Sequence, residues 1–317
     1  MQETVKVGMI GVGAVGERVL KSFLGHHRTQ VAALCDVNEE RLAEFAQKVP
    51  EADLYTDYLH MLNDETIKLV YLAVPPKYHS SIAIDILKSG KHILCEKPLA
   101  NSIEESLKMK VLAERTGLVH AMNFPMAYSN EKLIIQQKVQ AGEIGKLKRI
   151  EMNMHFTEWP RRWQQNAWIS SREQGGFIRE VTPHFIQLIH SLFGELKVIA
   201  SFVEYPEDRE SCETGFVARM ELEGGIPVIF NGSSGIGQKE HLSMKLFGDE
   251  GAIDLVNWKD VILTKGDSDA ESVKVEAKSE LNLVAECVKA MDRSGGFVID
   301  FKDGHQVQIV LESLLNS

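Results

Sequence analysis

The strongest fold signal in this chain is the stretch VKVGMIGVGAVG, residues Val5 to Gly16. Its first half, Val5 to Ile10, is a short apolar run that predicts a buried strand. The strand leads directly into a Gly-x-Gly-x-x-Gly pattern made by Gly11, Gly13 and Gly16, after which apolar residues recur at helical spacing. A strand, this turn and a helix in succession are typical of a unit that binds a dinucleotide, and an unrelated βα turn is the alternative.

Each glycine of this pattern has its own steric task. Gly11 makes the tight turn, Gly13 lets the backbone approach a pyrophosphate, and Gly16 permits close packing of the helix. The phosphate is expected at the N-terminus of that helix. The cofactor contacts predicted here are the three glycines and the residues between them, Val12, Ala14 and Val15.

An acidic residue follows the second predicted strand. The apolar run Val31 to Cys35 ends at Asp36, which lies 20 residues after Gly16. In dinucleotide-binding units a carboxylate near this position binds the ribose hydroxyls of NAD and repels the 2′-phosphate of NADP. The sequence therefore predicts NAD as the cofactor, with Arg41 about one turn away as the argument for NADP.

Strands and helices alternate up to about residue 122. Further buried strands are predicted at Leu69 to Val74, His92 to Cys95 and Leu118 to Met122. Five or six parallel strands in such a series form the doubly wound sheet of an α/β (Rossmann) domain. We expect residues 1–122 to form this dinucleotide-binding domain. Residues 123–317 are expected to form an α+β domain for substrate binding and oligomerisation, with the last helix able to pack back on the first domain.

The strand at His92 to Cys95 ends abruptly in Glu96, Lys97 and Pro98. In an open α/β sheet, ligands bind outside the carboxyl ends of the strands. Lys97 on that edge is therefore the first catalytic candidate. A solvated lysine that merely follows a strand is the alternative.

Length and charge limit the function further. A chain of 317 residues exceeds what one core usually supports, so two domains are expected. Its net charge of −10 would repel a phosphate backbone, which argues against a nucleic-acid partner. The sequence shows neither a signal-peptide pattern nor an apolar run of membrane-spanning length, which indicates a cytoplasmic protein with no membrane partner.

The cysteines lack the spacing of metal-binding or redox motifs. They are predicted to be reduced core residues rather than metal ligands or disulfide partners, and no metal site is expected. The four are Cys35, Cys95, Cys212 and Cys287.

The second half of the chain shows a different pattern. Lys148 to Thr157 alternates apolar and polar residues, as a strand with one buried face does. The pair Gly224 and Gly225 predicts a hairpin turn. A large, mostly antiparallel open sheet is expected, and because helices need not cover its second face, we predict a homodimer or homotetramer through it. Further strands are predicted at Val198 to Glu204, Phe216 to Leu222, Val228 to Asn231 and Leu242 to Phe247.

A segment rich in tryptophan precedes the next predicted helix. Trp159, Trp163 and Trp168 are interleaved with Arg161 and Arg162. Flat aromatic faces with hydrogen-bonding neighbours suit a sugar or polyol, whereas packing under a loop is the commoner use of tryptophan. Both interpretations remain open from the sequence.

Together, these motifs resemble the Gfo/Idh/MocA oxidoreductase family, which includes glucose-fructose oxidoreductase and inositol dehydrogenase. Asp36 and Asn123 fit the same pattern. The resemblance runs from Val5 to the last helix. It is carried by four landmarks: the glycine turn at Gly11 to Gly16, the turn from Pro75-Pro76 to His79, the signature Glu96-Lys97-Pro98, and the segment from Gly175-Gly176 to His184.

The resemblance implies roles for individual residues. Lys97 and His184 would face the nicotinamide, with Glu180 assisting, and the Lys97–Pro98 bond would be cis. Cofactor contacts are implied at Val74, Pro75, Pro76, His79, Glu96 and Lys97, and substrate contacts at Asn123, Glu180 and His184; Trp163 and Trp168 are added as substrate candidates from their aromatic pattern.

The chain departs from the family pattern around His184. Glu180 stands where most members have an aspartate, and Gln187 stands where many have a second acid. Pro183 belongs in the first turn of a helix and should kink one begun near Phe177, so Glu180 and His184 are not expected to form a regular i, i+4 pair. Pro125 and Met126 replace an arginine that many relatives carry, which leaves the substrate open.

The chemistry expected is NAD-dependent oxidation of a secondary alcohol in a sugar, inositol or related polyol. His184 would remove the hydroxyl proton, Lys97 would stabilise the charge left on that oxygen, and Glu180 would orient His184 or bind a neighbouring hydroxyl. Two alternatives remain. One is a glycosidase that oxidises its sugar transiently and recycles NAD, and the other is a non-catalytic regulator that binds the dinucleotide.

Overall fold

The structure, a computed structural model, describes residues 3–164, 166–266, 269–273 and 281–316. These residues form two compact units. The first comprises the chain up to Phe124 together with Leu281–Gln308, and the second comprises the remaining described residues. The first crossing between units thus falls after Phe124, close to the boundary expected at residue 122. Residues 281–300 of this return were not expected from the sequence, whereas the last helix, whose first residues belong to the first unit, was expected to be able to pack back on it.

The elements are numbered in chain order. The strands are β1 (Val5–Ile10), β2 (Thr29–Cys35), β3 (Asp53–Tyr55), β4 (Ile67–Leu72), β5 (His92–Cys95), β6 (His120–Met122), β7 (Leu147–Phe156), β8 (Leu196–Glu204), β9 (Gly215–Leu222), β10 (Pro227–Ser234), β11 (His241–Gly248), β12 (Gly251–Val256), β13 (Asp260–Lys265) and β14 (Glu271–Ser272). The α-helices are α1 (Ala14–Gly25), α2 (Glu39–Ala46), α3 (Tyr58–Leu62), α4 (His79–Lys88), α5 (Ile103–Thr116), α6 (Asn130–Gln140), α7 (Phe177–Phe193), α8 (Leu283–Met291) and α9 (Phe301–Leu315).

The first unit contains a parallel sheet in the order β3-β2-β1-β4-β5-β6. This order, in which the chain reverses direction across the sheet between β1 and β4, is the doubly wound arrangement that the sequence predicted. The strands are almost entirely apolar because both faces of such a sheet are covered; β4 is buried along its length except at Lys68. Val284, Cys287 and Val288 of α8 complete the same core.

The second unit contains an eight-stranded sheet in the order β14-β13-β12-β11-β7-β10-β9-β8. Its pairs are antiparallel except that β7 and β10 run parallel. In β7 the buried residues alternate with partly exposed ones from Ile150 to Phe156, as the pattern of this strand predicted. Gly224 and Gly225 have φ of +85° and +80° in the hairpin between β9 and β10, which confirms the predicted turn.

Three strands of this sheet were missed in the sequence. β12 and β13 form a hairpin at the β11 side, and β14 pairs with β13. β14 has only two residues, and the polar Asp254 interrupts the apolar run of β12. Each of these strands forms because it pairs with a strand already in the sheet. Its own apolar pattern is too weak to predict it from the sequence.

Helix starts agree with the capping residues in the sequence. The Asn38 side chain accepts a hydrogen bond from the Arg41 amide at 2.9 Å at the start of α2. At the start of α5, Ser102 Oγ accepts from the Glu105 amide at 3.2 Å. The Glu105 carboxylate returns to the amide of Asn101 rather than to that of Ser102, so this capping box is shifted by one residue.

Three further features concern the described residues. None of their helices combines the length and apolar character needed to cross a bilayer. No three of their His, Cys, Asp and Glu side chains converge as a metal site would require. All four cysteines are buried and unbridged, as predicted.

Candidate active site

The parallel sheet of the first unit brings several candidate residues to one edge. Gly11 follows β1, Asp36 follows β2, Lys97 lies two residues after β5 and Asn123 follows β6. Val74 lies two residues after β4. Since the strands are parallel, their carboxyl ends share one edge, which is where doubly wound sheets bind their ligands.

The glycine turn is dictated by contacts with its surroundings. Gly11 has φ of +88°, and a Cβ there would lie 2.3 Å from the Ala73 carbonyl oxygen. A Cβ on Gly16 would lie 2.7 Å from the Gly11 carbonyl oxygen. A Cβ on Gly13 would meet no heavy atom within 4 Å, so the space beside Gly13 is open for a ligand.

Asp36 is held in a defined orientation. Its side chain is buried, and its two oxygens accept the amides of Val12 at 3.0 Å and Asn38 at 2.9 Å. The guanidinium of Arg41 lies 3.6 Å from the same carboxylate. Among the predicted contacts in the glycine turn, Val12 is buried, whereas Ala14 and Val15 are exposed at the start of α1.

Buried polar groups precede and adjoin Lys97. Glu96 accepts hydrogen bonds from the Tyr71 hydroxyl and from the Asn123 side-chain amide. Burial raises the pKa of Glu96, although these two donors oppose the shift. The structure thus places the Asn123 amide on Glu96, and Lys97 itself is half-buried just beyond it. The Lys97–Pro98 bond is cis, as the family resemblance implied.

His79 lies inside the first unit, with no exposed surface. Its Nδ1 is 2.9 Å from the Pro98 carbonyl oxygen, and its Nε2 is 2.8 Å from the Val74 carbonyl oxygen. Burial lowers the pKa of His79. The imidazole therefore joins the segment after β4, which carries Pro75 and Pro76, to the one that carries Lys97.

The start of α7 explains the glycine pair before it. A Cβ on Gly175 would lie 2.1 Å from the Ile169 carbonyl oxygen, and one on Gly176 would lie 2.1 Å from the carboxylate of Glu213. That carboxylate accepts the Ile178 amide at 2.6 Å, so Glu213 supplies the cap that α7 lacks locally. Burial raises the pKa of Glu213 to about 7.

The helix is not interrupted at Pro183, where the sequence led us to expect a kink. α7 runs continuously from Phe177 to Phe193 with Pro183 in its interior. The ring is buried, and the loss of one helical N–H is compatible with the long apolar face that α7 packs into its unit. Glu180 and His184 are therefore a regular i, i+4 pair, both partly buried, and the expectation of an irregular pair was wrong.

Trp258, which the sequence analysis left out, contacts His184. The two rings are nearly perpendicular, at 88°, with centroids 5.6 Å apart. Trp258 also packs on Phe185, with centroids 4.8 Å apart. Nothing near Trp258 in the sequence indicates these contacts, because it lies 74 residues after His184. Gln187, one turn beyond His184, is buried, and its amide oxygen has no hydrogen-bond partner among the described residues.

The tryptophan-rich segment divides into packed and exposed residues. Trp159 packs on Phe156 and Phe177, with centroids 5.0 and 5.9 Å away, and Arg161 lies over the Trp159 ring while pairing with Glu240. Trp159 is thus a packing residue. Trp168 is partly exposed, and Trp163 is 51% exposed.

Two family matches cover most of the chain. Residues 5–124 match the "Oxidoreductase family, NAD-binding Rossmann fold" description of GFO_IDH_MocA, and residues 133–254 match the "GFO/IDH/MocA C-terminal domain". The chain belongs to the Gfo/Idh/MocA oxidoreductase family. The two matches follow the order of the parallel and mostly antiparallel sheets described above.

Two curated relatives of the chain have names that describe different activities. The chain is 26% identical over 241 residues to inositol 2-dehydrogenase from Corynebacterium glutamicum, covering 72% of this chain and 66% of that protein. It is 34% identical over 167 residues to α-N-acetylgalactosaminidase from Shewanella oneidensis, covering 50% of this chain and 36% of that protein. The chain thus matches between about a third and two thirds of the length of these relatives.

Solved structures share the fold over the whole chain. One is a levoglucosan dehydrogenase in complex with NADH and L-sorbose, with a TM-score of 0.84, 19% identity, and coverage of 100% of this chain and 97% of that one. Another is a 3-ketoreductase from Actinomadura kijaniata in complex with NADP and TDP-benzene, with a TM-score of 0.85, 17% identity, and coverage of 98% and 97%. At such identities the likeness of these Gfo/Idh/MocA folds shows the architecture alone.

Proposed function

We propose that this chain is an NAD-dependent dehydrogenase that oxidises a secondary alcohol of a sugar, inositol or related polyol. The observation that carries the proposal is the placement of Lys97 on the same sheet edge as the glycine turn and Asp36. A lysine at the edge where a dinucleotide binds supplies a positive charge next to the reacting groups. The inositol 2-dehydrogenase relative supports the substrate class.

The first unit supplies the cofactor contacts of this proposal. The open space beside Gly13 and the first amides of α1 suit a pyrophosphate, since helix N-termini bind anions. Asp36, oriented by Val12 and Asn38, would accept the ribose hydroxyls and favour NAD over NADP despite the nearby Arg41. The other proposed contacts are Gly11, Ala14, Val15, Gly16, Val74, Pro75, Pro76, Glu96 and Lys97, with His79 joining the segments that carry the last five.

The reaction needs two protein groups at one oxygen. The residues above would hold NAD, whose nicotinamide would supply the acceptor for the hydride from the alcohol carbon. His184 removes the hydroxyl proton, a task that suits a group with an ordinary pKa near neutrality. Lys97 stabilises the negative charge that develops on that oxygen, and Glu180, one turn before His184, orients the imidazole.

Substrate contacts are proposed mainly in the second unit. Trp163 and Trp168 retain exposed ring surface that could cover a sugar face, whereas Trp159 is committed to packing. Asn123, in the first unit, donates one amide hydrogen to Glu96, so its part in substrate binding would use its remaining amide groups.

A substrate screen tests this proposal. Inositol stereoisomers, levoglucosan and a set of aldoses and ketoses are each incubated with NAD or NADP, and reduced nicotinamide is followed by its absorbance. We expect turnover with at least one polyol and tighter binding of NAD than of NADP. Equal binding of NADP would overturn the role of Asp36. Binding of NAD with no turnover of any compound would favour the non-catalytic regulator.

A glycosidase is the second candidate, favoured by the 34% identity to α-N-acetylgalactosaminidase. Such an enzyme oxidises its sugar transiently, so the same lysine and histidine could serve it. Incubation with an aryl N-acetyl-α-galactosaminide distinguishes the two. Release of the aryl group without net formation of NADH would identify the glycosidase.

We propose further that the chain forms a dimer or tetramer through the sheet of the second unit. Phe202 on β8 is 73% exposed, and its antiparallel partner Val217 on β9 is 49% exposed. Neighbouring exposed apolar residues on one sheet face favour burial against another subunit.

A further inference from the structure

The turn between β12 and β13 has an unusual residue in a left-handed conformation. The Lys259 amide donates to the Val256 carbonyl at 3.1 Å, which closes a four-residue turn. Its central residues, Asn257 and Trp258, have φ of +48° and +73°. Such hairpin turns favour Asn followed by Gly, and a bulky side chain at positive φ is disfavoured. Trp258 therefore occupies a position at which its side chain adds backbone strain.

Asn257 attaches this turn to the adjacent strand. The Asn257 amide donates to the Leu242 carbonyl at 2.8 Å, and the Leu242 amide donates to the Asn257 side-chain oxygen at 3.0 Å. Leu242 itself belongs to β11, near the centre of the sheet, and is buried. The pairing of β12 with β13 holds the turn on one side, and the two hydrogen bonds to Leu242 of β11 hold it on the other. The direction of the Trp258 side chain is therefore well defined.

The Trp258 indole lies against two successive residues of α7. It meets the His184 ring nearly perpendicularly, with centroids 5.6 Å apart, and packs on Phe185 with centroids 4.8 Å apart. Both distances are in the range of favourable aromatic pairs. Phe185 is buried, whereas His184 is only partly so. The indole thereby contacts both the buried Phe185 ring and the partly buried His184 imidazole.

We infer that Trp258 is a positioning residue that holds the His184 imidazole in its reactive orientation, an inference that rests on the proposed role of His184. An aromatic wall against one side of the imidazole narrows the range of rotamers that the His184 side chain can adopt. Strain persists in folds where function requires it, and glycine would relieve this turn while removing the contact to His184. The strained turn thus places the Trp258 ring beside His184, the proposed proton acceptor, although the two residues lie 74 positions apart in the sequence.

Three variants separate positioning from packing. Trp258→Leu removes the aromatic wall but keeps an apolar side chain on Phe185, Trp258→Phe restores an aromatic wall, and Lys259→Ala changes an exposed side chain of the same turn. Folding is checked by thermal denaturation. Histidines are labelled with ¹³C, the His184 ring resonance is assigned by its loss in His184→Gln, and kcat and KM are measured on the most active polyol of the screen.

We expect Trp258→Leu to broaden or double the His184 resonance and to lower kcat about 10- to 100-fold, as small misplacements of a catalytic group do, with little change in KM for NAD. Trp258→Phe should recover most of both properties, and Lys259→Ala should match the wild type. A sharp single resonance in Trp258→Leu, or an unchanged kcat, overturns the inference. If His184→Gln is inactive while Trp258→Leu is not, the proposed function stands without it. If the wild type turns over no polyol, the proposed function fails, and the resonance alone decides whether Trp258 orders the imidazole.

Discussion

Lys97 and His184 have different roles at one oxygen in the proposed reaction, because His184 accepts the proton and Lys97 stabilises the negative charge that remains. His184→Ala should lower kcat by about 10² to 10⁴, the usual cost of losing a general base. Lys97→Ala should lower it by about 10² to 10³, the usual cost of losing a charge-stabilising donor. NAD affinity should change far less, because both groups act mainly in the transition state. Kinetics on the best polyol, with NAD binding by calorimetry, provide the measurement.

The double variant examines whether the two residues serve one step. Its loss should fall short of the product of the single losses. Fully multiplicative losses would mean that Lys97 and His184 act in separate steps. Near wild-type turnover in either single variant would remove that residue from the mechanism.

Gly11 and Gly13 differ in what an added methyl group would do. Gly11→Ala should destabilise the protein by more than about 1–3 kcal/mol, since the left-handed φ alone costs this amount and the Cβ overlaps the Ala73 carbonyl oxygen. Gly13→Ala should keep its stability, because its Cβ meets nothing, but should weaken NAD binding at the pyrophosphate. Thermal denaturation and NAD titration separate the two effects.

Gly25→Ala is the matched control. Gly25 is the last residue of α1, and its Cβ would meet no heavy atom within 4 Å. Neither stability nor NAD affinity should fall in this variant. Loss of NAD affinity in Gly25→Ala equal to that in Gly13→Ala would show that the effect does not arise at the pyrophosphate.

The N-terminus of helix α7 depends on a carboxyl group from a distant part of the chain for its cap. Glu213 caps its N-terminus through the Ile178 amide, and burial raises the Glu213 pKa to about 7. A carboxyl whose folded pKa is raised favours folding in its protonated form. Its contribution is complete below the ordinary carboxyl pKa near 4.5 and is lost as pH rises through the folded pKa of about 7.

Glu213→Gln isolates this contribution. The stability of the wild type relative to this variant should fall between about pH 4.5 and pH 7, by roughly 3 kcal/mol if the full shift is realised. Urea denaturation of both proteins across this range measures the difference. A difference that stays constant with pH would contradict the raised pKa of Glu213.

The exposed apolar residues of the eight-stranded sheet predict that the whole protein assembles into a dimer or tetramer. Phe202→Asp places a charge on the proposed interface and should convert the oligomer to a particle with the 35.5 kDa mass of one chain. Light scattering measures this mass. Leu24→Asp, at a residue 51% exposed in the first unit, is the control and should leave the oligomer intact. A wild-type mass of 35.5 kDa at working concentration would refute the assembly.

Several features of the fold were predictable because they depend on neighbours in sequence. The glycine turn, the Asn38 and Ser102 caps, and the alternation of β7 each lie within one short segment. Local periodicity also placed Asp36 and Lys97 after strands. The doubly wound parallel sheet then followed from the alternation of strands and helices after the glycine turn.

Contacts between residues far apart in the sequence are visible only in the tertiary structure. No sequence pattern predicted that Glu213 caps α7, that Trp258 contacts His184, or that Asn123 donates to Glu96. The sequence also led to the wrong expectation at Pro183, because a proline penalty is local whereas the packing of α7 is collective. Periodicity reports which side of an element is buried, but the identity of the burying partner depends on pairings far apart in the chain, which only the folded molecule shows.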